Sequence, residues 1–362
     1  MEERNCTCCG VRLTDDYVVT ANDEMICDNC AENEYTRCEC CNNLVYNSNI
    51  YGEDYDHILC HTCYEEYYTN CDECGDLIDR DNAYVLDDYY YCTHCYHQKT
   101  HIIHSYSYKP QPIFYGKGKR FFGVELEIDK GGKDNDNAQE LLDIANHGSE
   151  KRIYIKSDGS LDNGMEIVTH PMTIEYHLDE FNWEDILKTA IHLGYRSHQT
   201  STCGLHIHVN RDAFGETEEE QEDVISRILY FVENHWNELV KFSRRTETNL
   251  NRWAARFGYE PTPFQIMTKA KGCYGRYYAV NLCNAKTIEF RLFRGTLKLN
   301  TLLATLQMVD KICETAMHLD DDDVTEMSWS EFMSYITEPR LIQYLKERRL
   351  YINEEISNEE EI

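Results

Sequence analysis

Phe122-Gly123-Val124-Glu125-Leu126-Glu127-Ile128 alternates apolar and acidic residues. Strand side chains point to opposite faces in turn. The run therefore predicts a strand with Val124, Leu126 and Ile128 toward a core and Glu125 and Glu127 together on the other face. Two carboxylates side by side repel each other. Bulk water or a divalent cation relieves that repulsion.

Three further stretches carry the same signature. In 157–171, Asp158 falls at the turn Asp158-Gly159-Ser160, and Glu166 lies in the strand that follows. Cys203–Asn210 puts His206, His208 and Asn210 on one strand face. Thr287–Leu297 puts Glu289 and Arg291 on one face, with Arg294 at the end. A single Glu-x-Glu is usually a wet strand face, and a single His-x-His is often structural. Four strands with carboxylate, imidazole or guanidinium on one face point to a ligand, because sheets do not bury such faces without one. Carboxylates with imidazole suit Mg2+ or Mn2+. Arginines beside them suit phosphate oxygens. The expectation is a metal-dependent nucleotide-triphosphate site.

Around these strands the chain reads as mixed α and β. Helices are predicted over 137–146, 179–193, 217–243, 299–318 and 328–348, and strands over 151–156, 164–169, 204–210, 276–283 and 286–294. Residues 353–362 predict a frayed acidic tail. The fold class is α+β. The predicted organisation is small N-terminal modules over 1–98, a linker over 99–119, a catalytic domain over 120–350 and a tail over 351–362. Pro110, Pro112, Gly116 and Gly118 among lysines and arginines mark the linker.

The modules are read from cysteine spacing. Of 18 cysteines, only Cys203, Cys273, Cys283 and Cys313 follow residue 96. Cys6, Cys9, Cys27 and Cys30 form one Cys-x2-Cys pair of pairs. Cys38, Cys41, Cys60 and Cys63 form a second, and Cys71, Cys74, Cys92 and Cys95 a third. The first cysteine recurs at 6, 38 and 71, a repeat that chance rarely produces. Two such turns complete a tetrahedral thiolate shell, which suits structural zinc, so three Zn2+ ions are expected. Each unit, about 1–35, 36–68 and 69–98, is too small to fold on apolar burial alone. A pair, a hairpin and a second pair at a helix start resemble a treble-clef or LIM-type module. Pairing within each unit is the simplest assignment, and a cross-braced one stays open. Cys8 and Cys40 read as spare thiols, and His57, His61, His94 and His97 as surface residues.

Charge narrows the partners. The 362 residues carry 35 Lys and Arg against 65 Asp and Glu, a formal −30. Such a surface repels nucleic-acid phosphate and anionic membrane. Residues 1–104 alone carry 22 acidic and 5 basic side chains. With their many tyrosines they suit a protein or peptide partner of basic character. No apolar run approaches the ~20 residues of a membrane span. The start, Met1-Glu2-Glu3-Arg4-Asn5-Cys6, lacks a secretory pattern. A reducing, cytoplasmic setting is expected, where paired cysteines hold metal.

The order Glu-x-Glu, Asp-Gly-Ser…Gly-x-Glu-Ile, His-x-His, Glu-x-Arg over roughly 114–318 resembles the carboxylate–amine ligases related to glutamine synthetase and glutamate–cysteine ligase. More closely, it resembles the amidoligase family of bacteria and phages. The resemblance implies a funnel-like antiparallel sheet with outer helices, binding ATP and two divalent ions. It implies that Glu127, Asp158 and Glu166 hold one Mg2+ and Glu125, His206 and Glu289 the other. It also implies phosphate contacts from His208 and Arg291, with Arg276 and Arg294 as weaker candidates. Arg245 is implied as a substrate or nucleotide contact. The implied catalytic set is Glu127, Asp158, Glu166 and Arg291, and the implied reaction forms an amide through an acyl phosphate. Asp158 stands where glutamine synthetase has glutamate.

Two other readings compete. One is a non-catalytic zinc-module adaptor whose ligase-like core has decayed. The other is a metal-dependent hydrolase or nuclease built on His206 and His208, which leaves the arginine-bearing strand and the Asp158/Glu166 pair unexplained. The acid, the amine, the general base and the oligomeric state are not legible.

Overall fold

The computed structural model describes residues 4–14, 16–20, 23–52, 57–86, 88–100, 102–146 and 150–351. Residues 352–362 of the tail expected over 351–362, and the His97 side chain, lie outside the described residues. The chain divides into two compact units, Met1–His101 and Ile102–Ile362. Among the described residues no helix is long and apolar enough to cross a membrane.

The first unit repeats one plan. The first Cys-x2-Cys of each module forms a tight turn in which the residue after the second cysteine has a left-handed backbone: Gly10 (φ 76°), Asn42 (φ 60°) and Gly75 (φ 81°). Glycine and asparagine tolerate that conformation best. In each turn that same residue's N–H closes onto the carbonyl of the first cysteine at 2.8 Å. The second pair opens a short helix each time, at Asp28–Asn33, His61–Tyr67 and Thr93–Thr100. Hairpins Val18–Val19/Met25–Ile26 and Tyr84–Leu86/Tyr89–Tyr91 lie between the pairs of the first and third modules. Tyr35–Arg37/Leu44–Tyr46 and Tyr68–Asn70/Leu77–Asp79 flank the first knuckles of the second and third. The apolar clusters are small, and each contains two cysteines.

The second unit is built on a seven-stranded sheet. Its strands are β1 (Ile103–His104), β2 (Phe122–Ile128), β3 (Ile153–Lys156), β4 (Met165–Thr169), β5 (Gly204–Asn210), β6 (Val280–Asn281) and β7 (Thr287–Arg294), in the order β6-β7-β5-β2-β4-β3-β1. All pairings are antiparallel except β3 with β1. Part of the segment read as a linker is thus built into the sheet: Ile103 pairs with Ile155, and Tyr115 bridges Met172.

Alternation sets the two faces. Val124, Leu126, Ile128, Ile155, Ile167, Leu205, Ile207 and Phe290 are fully buried in one apolar core. Helices α1 (Asn135–Ala145), α2 (Trp183–His192), α3 (Glu218–Asn234), α4 (Trp236–Ser243), α5 (Glu247–Trp253), α6 (Pro263–Lys271) and α7 (Leu299–His318) follow, then α8 (Asp321–Glu326), α9 (Trp329–Ser334) and α10 (Pro339–Glu347). The single helix predicted over 217–243 is two, joined at His235. The helix predicted over 328–348 is also two, since Pro339 cannot continue α9 and instead starts α10. The strand expected over 276–283 shrinks to Val280–Asn281.

Candidate metal centres and the polar face of the sheet

In each module the four Sγ atoms lie within 4.8 Å of one another. Cys9–Cys27 and Cys41–Cys60 are 3.8 Å apart, and Cys74–Cys92 are 3.9 Å apart. A tetrahedron with Zn–S bonds of about 2.3 Å has an edge of about 3.8 Å. Burial raises the Cys6, Cys38 and Cys71 thiols. Backbone N–H donors outweigh it and bring them to about 6, about 7 and about 6. Neighbouring thiols and burial raise Cys30, Cys63 and Cys95, so each set favours one thiolate and would release protons on binding a soft cation. The pairing falls within modules, as the spacing suggests, and Cys8 and Cys40 are exposed.

The second unit gathers its charged residues on the sheet face opposite the core. Register explains how. Glu125 pairs with His206, Glu127 with Glu166, Glu166 with Lys156, and Glu289 with both His208 and Asn281. Glu125, Glu166 and His206 bring ligand atoms within 4.8 Å of one another, and so do Glu125, His208 and Glu289. His206 Nδ1 is 3.6 Å from both Glu125 Oε2 and Glu289 Oε1. His208 Nε2 is 3.3 Å from Glu125 Oε1. Glu125, His206 and Glu289 therefore lie together, and Glu166, implied in the other set, joins Glu125 and His206. His208, expected on phosphate, lies among the carboxylates.

Several of these atoms have no ordinary partner. Both His206 ring nitrogens are buried with no hydrogen bond among the described residues, and Glu166 Oε2 has only the Lys156 ammonium at 3.4 Å. Burial and the nearby Glu125 charge push the Glu166 carboxyl well above the usual range, against the pull of Lys156. Burial also raises Glu127. At Glu125 and Glu289 burial acts the same way, but the His208 and His206 charges outweigh it and hold both carboxyls low. A donor set of carboxylate oxygens with imidazole could hold a divalent cation.

The remaining predicted residues spread outward. Glu127 is buried and accepts the Gly204 N–H. Asp158 is half-buried at its turn, where it accepts from Ser160 N at 2.6 Å, and its charge reaches Glu127 and Glu166. Arg291 is buried, ion-paired to Glu289 and bonded to the Trp253 carbonyl at 3.4 Å. Arg245 is buried and donates to the Arg291 carbonyl at 2.6 Å, a supporting position rather than an open one. Arg276 lies 5.2 Å from the Tyr106 and Tyr277 ring centres. Arg294 lines a separate small cleft that includes no member of the carboxylate–imidazole cluster.

Three contributors were not found in the sequence. Lys156 is buried, with Nζ 3.4 Å from Glu166 Oε2. Asn281 donates to Glu289 Oε2 at 2.6 Å. Asp129, fully buried, accepts from Asn163 N, Asp162 N and Thr202 Oγ1 and so fastens the loop that carries Asp158. Lys156 carried a signal: a lysine ending an otherwise apolar-alternating strand just before Asp158. The chain matches no known family model and no curated protein sequence.

Proposed function

We propose that the second unit is an ATP-dependent ligase that joins a carboxylate to an amine. The observation that carries this reading is the meeting of Glu125, Glu166 and Glu289 with His206 and His208 on one sheet face, with both His206 nitrogens lacking hydrogen bonds. Buried donors of that kind call for a cation. Glu127, Asp158 and Glu166 would hold one divalent ion and Glu125, His206 and Glu289 the other, with His208 completing the second set. Bound magnesium supplies charge neutralisation for phosphoryl transfer. Arg291, anchored at the end of this row by Glu289 and the Trp253 carbonyl, would offer its remaining Nη2 to phosphate. An antiparallel sheet with helices against one face agrees with the glutamine-synthetase-like likeness of the motifs.

In the proposed reaction the substrate carboxylate takes the γ-phosphoryl and ADP leaves. The amine then attacks the acyl carbon, and phosphate departs with formation of the amide. The acidic first unit would recruit a basic peptide or protein amine. The test is magnesium-dependent release of phosphate from ATP in the presence of an acid and amine panel, with Glu125→Gln as control. Amide formation that is lost in the variant supports the ligase. Product formed without ATP favours a hydrolase at His206 and His208.

One observation favours the adaptor reading. Arg291 pairs with Glu289, so part of the acidic face is neutralised by the chain itself. An adaptor would bind its partner through the zinc modules and leave ATP unchanged with every acid and amine.

A further inference from the structure

A cleft of about 440 Å3 opens in the second unit where three loops come together. The loop after β1 supplies Tyr106, and the loop from β2 to α1 supplies Lys133. The loop from β3 to β4 supplies Ser157, Asp158, Asp162 and Asn163. That volume lies in the range of small-ligand sites and takes a molecule of amino-acid to dipeptide size. The cleft adjoins the carboxylate–imidazole cluster. The Asp158 charge reaches Glu127 and Glu166. The Tyr106 ring centre lies 5.3 Å from the Lys156 ammonium, which is itself 3.4 Å from Glu166 Oε2.

The framing loops are fastened to each other. Buried Asp129 accepts the Asp162 and Asn163 N–H groups at 3.1 and 2.7 Å. Gly132 donates to the Asn163 carbonyl at 3.0 Å, and its own carbonyl accepts the Tyr195 hydroxyl at 2.7 Å. Gly132 has φ 101°, and a Cβ on Gly131 would stand 2.5 Å from the Tyr195 ring, so the backbone leading to Lys133 has little freedom. The charges around the cleft are spoken for, with one exception. Asp162 pairs with Lys130. Asp158 accepts from Ser160 N at 2.6 Å and is an ion-holding carboxylate of the proposed ligase. Asp134, next to Lys133 in sequence, caps α1 by accepting Asp136 N at 2.9 Å and Asn137 N at 3.0 Å. Lys133 has no ion pair or hydrogen bond among the described residues. The Tyr106 wall adds positive potential, because the Arg276 guanidinium lies 5.2 Å from its ring centre and Lys156 5.3 Å.

We infer that this cleft seats the acid substrate and that Lys133 selects an acid with a second carboxylate. The inference rests on the ligase reading for the first carboxylate, which lies toward Asp158 and Glu166 to take the phosphoryl group. The second carboxylate, on the same molecule, pairs with the Lys133 ammonium. A hydrogen bond between two ionised groups is stronger than one to a neutral amide. A monocarboxylic acid leaves that ammonium to water and gains nothing from this wall. Lys133 is thus a specificity-determining residue that touches the substrate away from the reacting atoms.

The test is saturation-transfer NMR titration of the full-length protein with Mg2+ and no nucleotide. The probes are succinate, glutarate and adipate, each against its own monoamide, which keeps the length and removes one charge. At least one diacid is expected to bind about 10-fold or more tightly than its monoamide. Lys133→Gln should abolish that preference, and Lys133→Arg should keep most of it. Both variants should keep the wild-type thermal midpoint, since the side chain is exposed. Equal affinity within every pair would overturn the inference, as would a preference that survives Lys133→Gln. Phosphate release from ATP with the same acids and an amine panel separates this inference from the ligase reading. Diacid preference without phosphate release keeps the diacid site and removes the ligase. Phosphate release that is equal for diacid and monoamide, and untouched by Lys133→Gln, keeps the ligase and overturns the role of Lys133.

Discussion

Glu125 and His206 are direct cross-strand partners, and Glu125 Oε2 lies 3.6 Å from His206 Nδ1. That distance exceeds a good hydrogen bond. It leaves a buried imidazole and a carboxylate facing each other without bonding. A cation between them would satisfy both. Replacement Glu125→Gln keeps the shape and removes the charge. Mn2+ affinity, read by water-proton relaxation, is expected to fall at least about 10-fold, the range in which loss of ligand-shell groups acts. The thermal midpoint of the metal-free second unit should fall, because the His208 and His206 charges favour the Glu125 carboxylate in the fold.

Glu127 combines two roles that a pair of variants separates. Its carboxylate accepts the buried Gly204 N–H at the start of β5. Glu127→Gln keeps an acceptor and is expected to fold normally while losing turnover. Glu127→Ala leaves that N–H without a partner and should cost about 1–3 kcal/mol more, read by urea denaturation. Equal stability of the two variants would remove the structural role.

His177 supplies a pH dependence outside the site. It is fully buried beside Trp183, accepts the indole N–H on Nδ1 at 3.3 Å and donates from Nε2 to the Phe122 carbonyl at 3.0 Å. Burial lowers the imidazole to about 4, against a small opposing effect of the Phe122 carbonyl. The folded protein thus resists a proton that the unfolded chain takes up at about 6.5. Its contribution is complete above pH 6.5 and is lost as pH falls from there to about 4, up to roughly 3 kcal/mol. His177→Gln should flatten the stability profile over that interval.

Metal removal should divide the molecule. The three apolar clusters of the first unit are small and include the cysteines themselves. The second unit has a large continuous core. A chelator is expected to abolish the circular dichroism and protease resistance of residues 4–100 while the second unit keeps its own thermal transition. A single joint transition would contradict independent folding.

Local patterns were legible and long-range ones were not. The helix over 299–318 was read to the residue, because twenty positions of helical periodicity leave little freedom. The acidic and imidazole faces of β2 and β5 followed from period-two alternation. The strand Ile103–His104 was invisible, since two residues have no period and pairing with β3 alone makes them a strand. Grouping of ligands was harder still. Between Leu205 and Ile207 the register with β7 shifts, so Leu205 faces Phe293 while Ile207 faces Phe290. That bulge decides which carboxylate His206 meets, and Asn281 joined the site through a pairing no local motif encodes.

The central claim is that this sheet face clamps divalent cations beneath a triphosphate. Anomalous scattering from crystals grown with Mn2+ and a non-hydrolysable ATP analogue tests it most directly. Two manganese peaks are expected on the polar face, one contacted by Glu166 and the other by Glu125, with His206 or Glu289 beside it and the analogue's phosphates toward Arg291. Nucleotide bound elsewhere, with no manganese on this face, would contradict it.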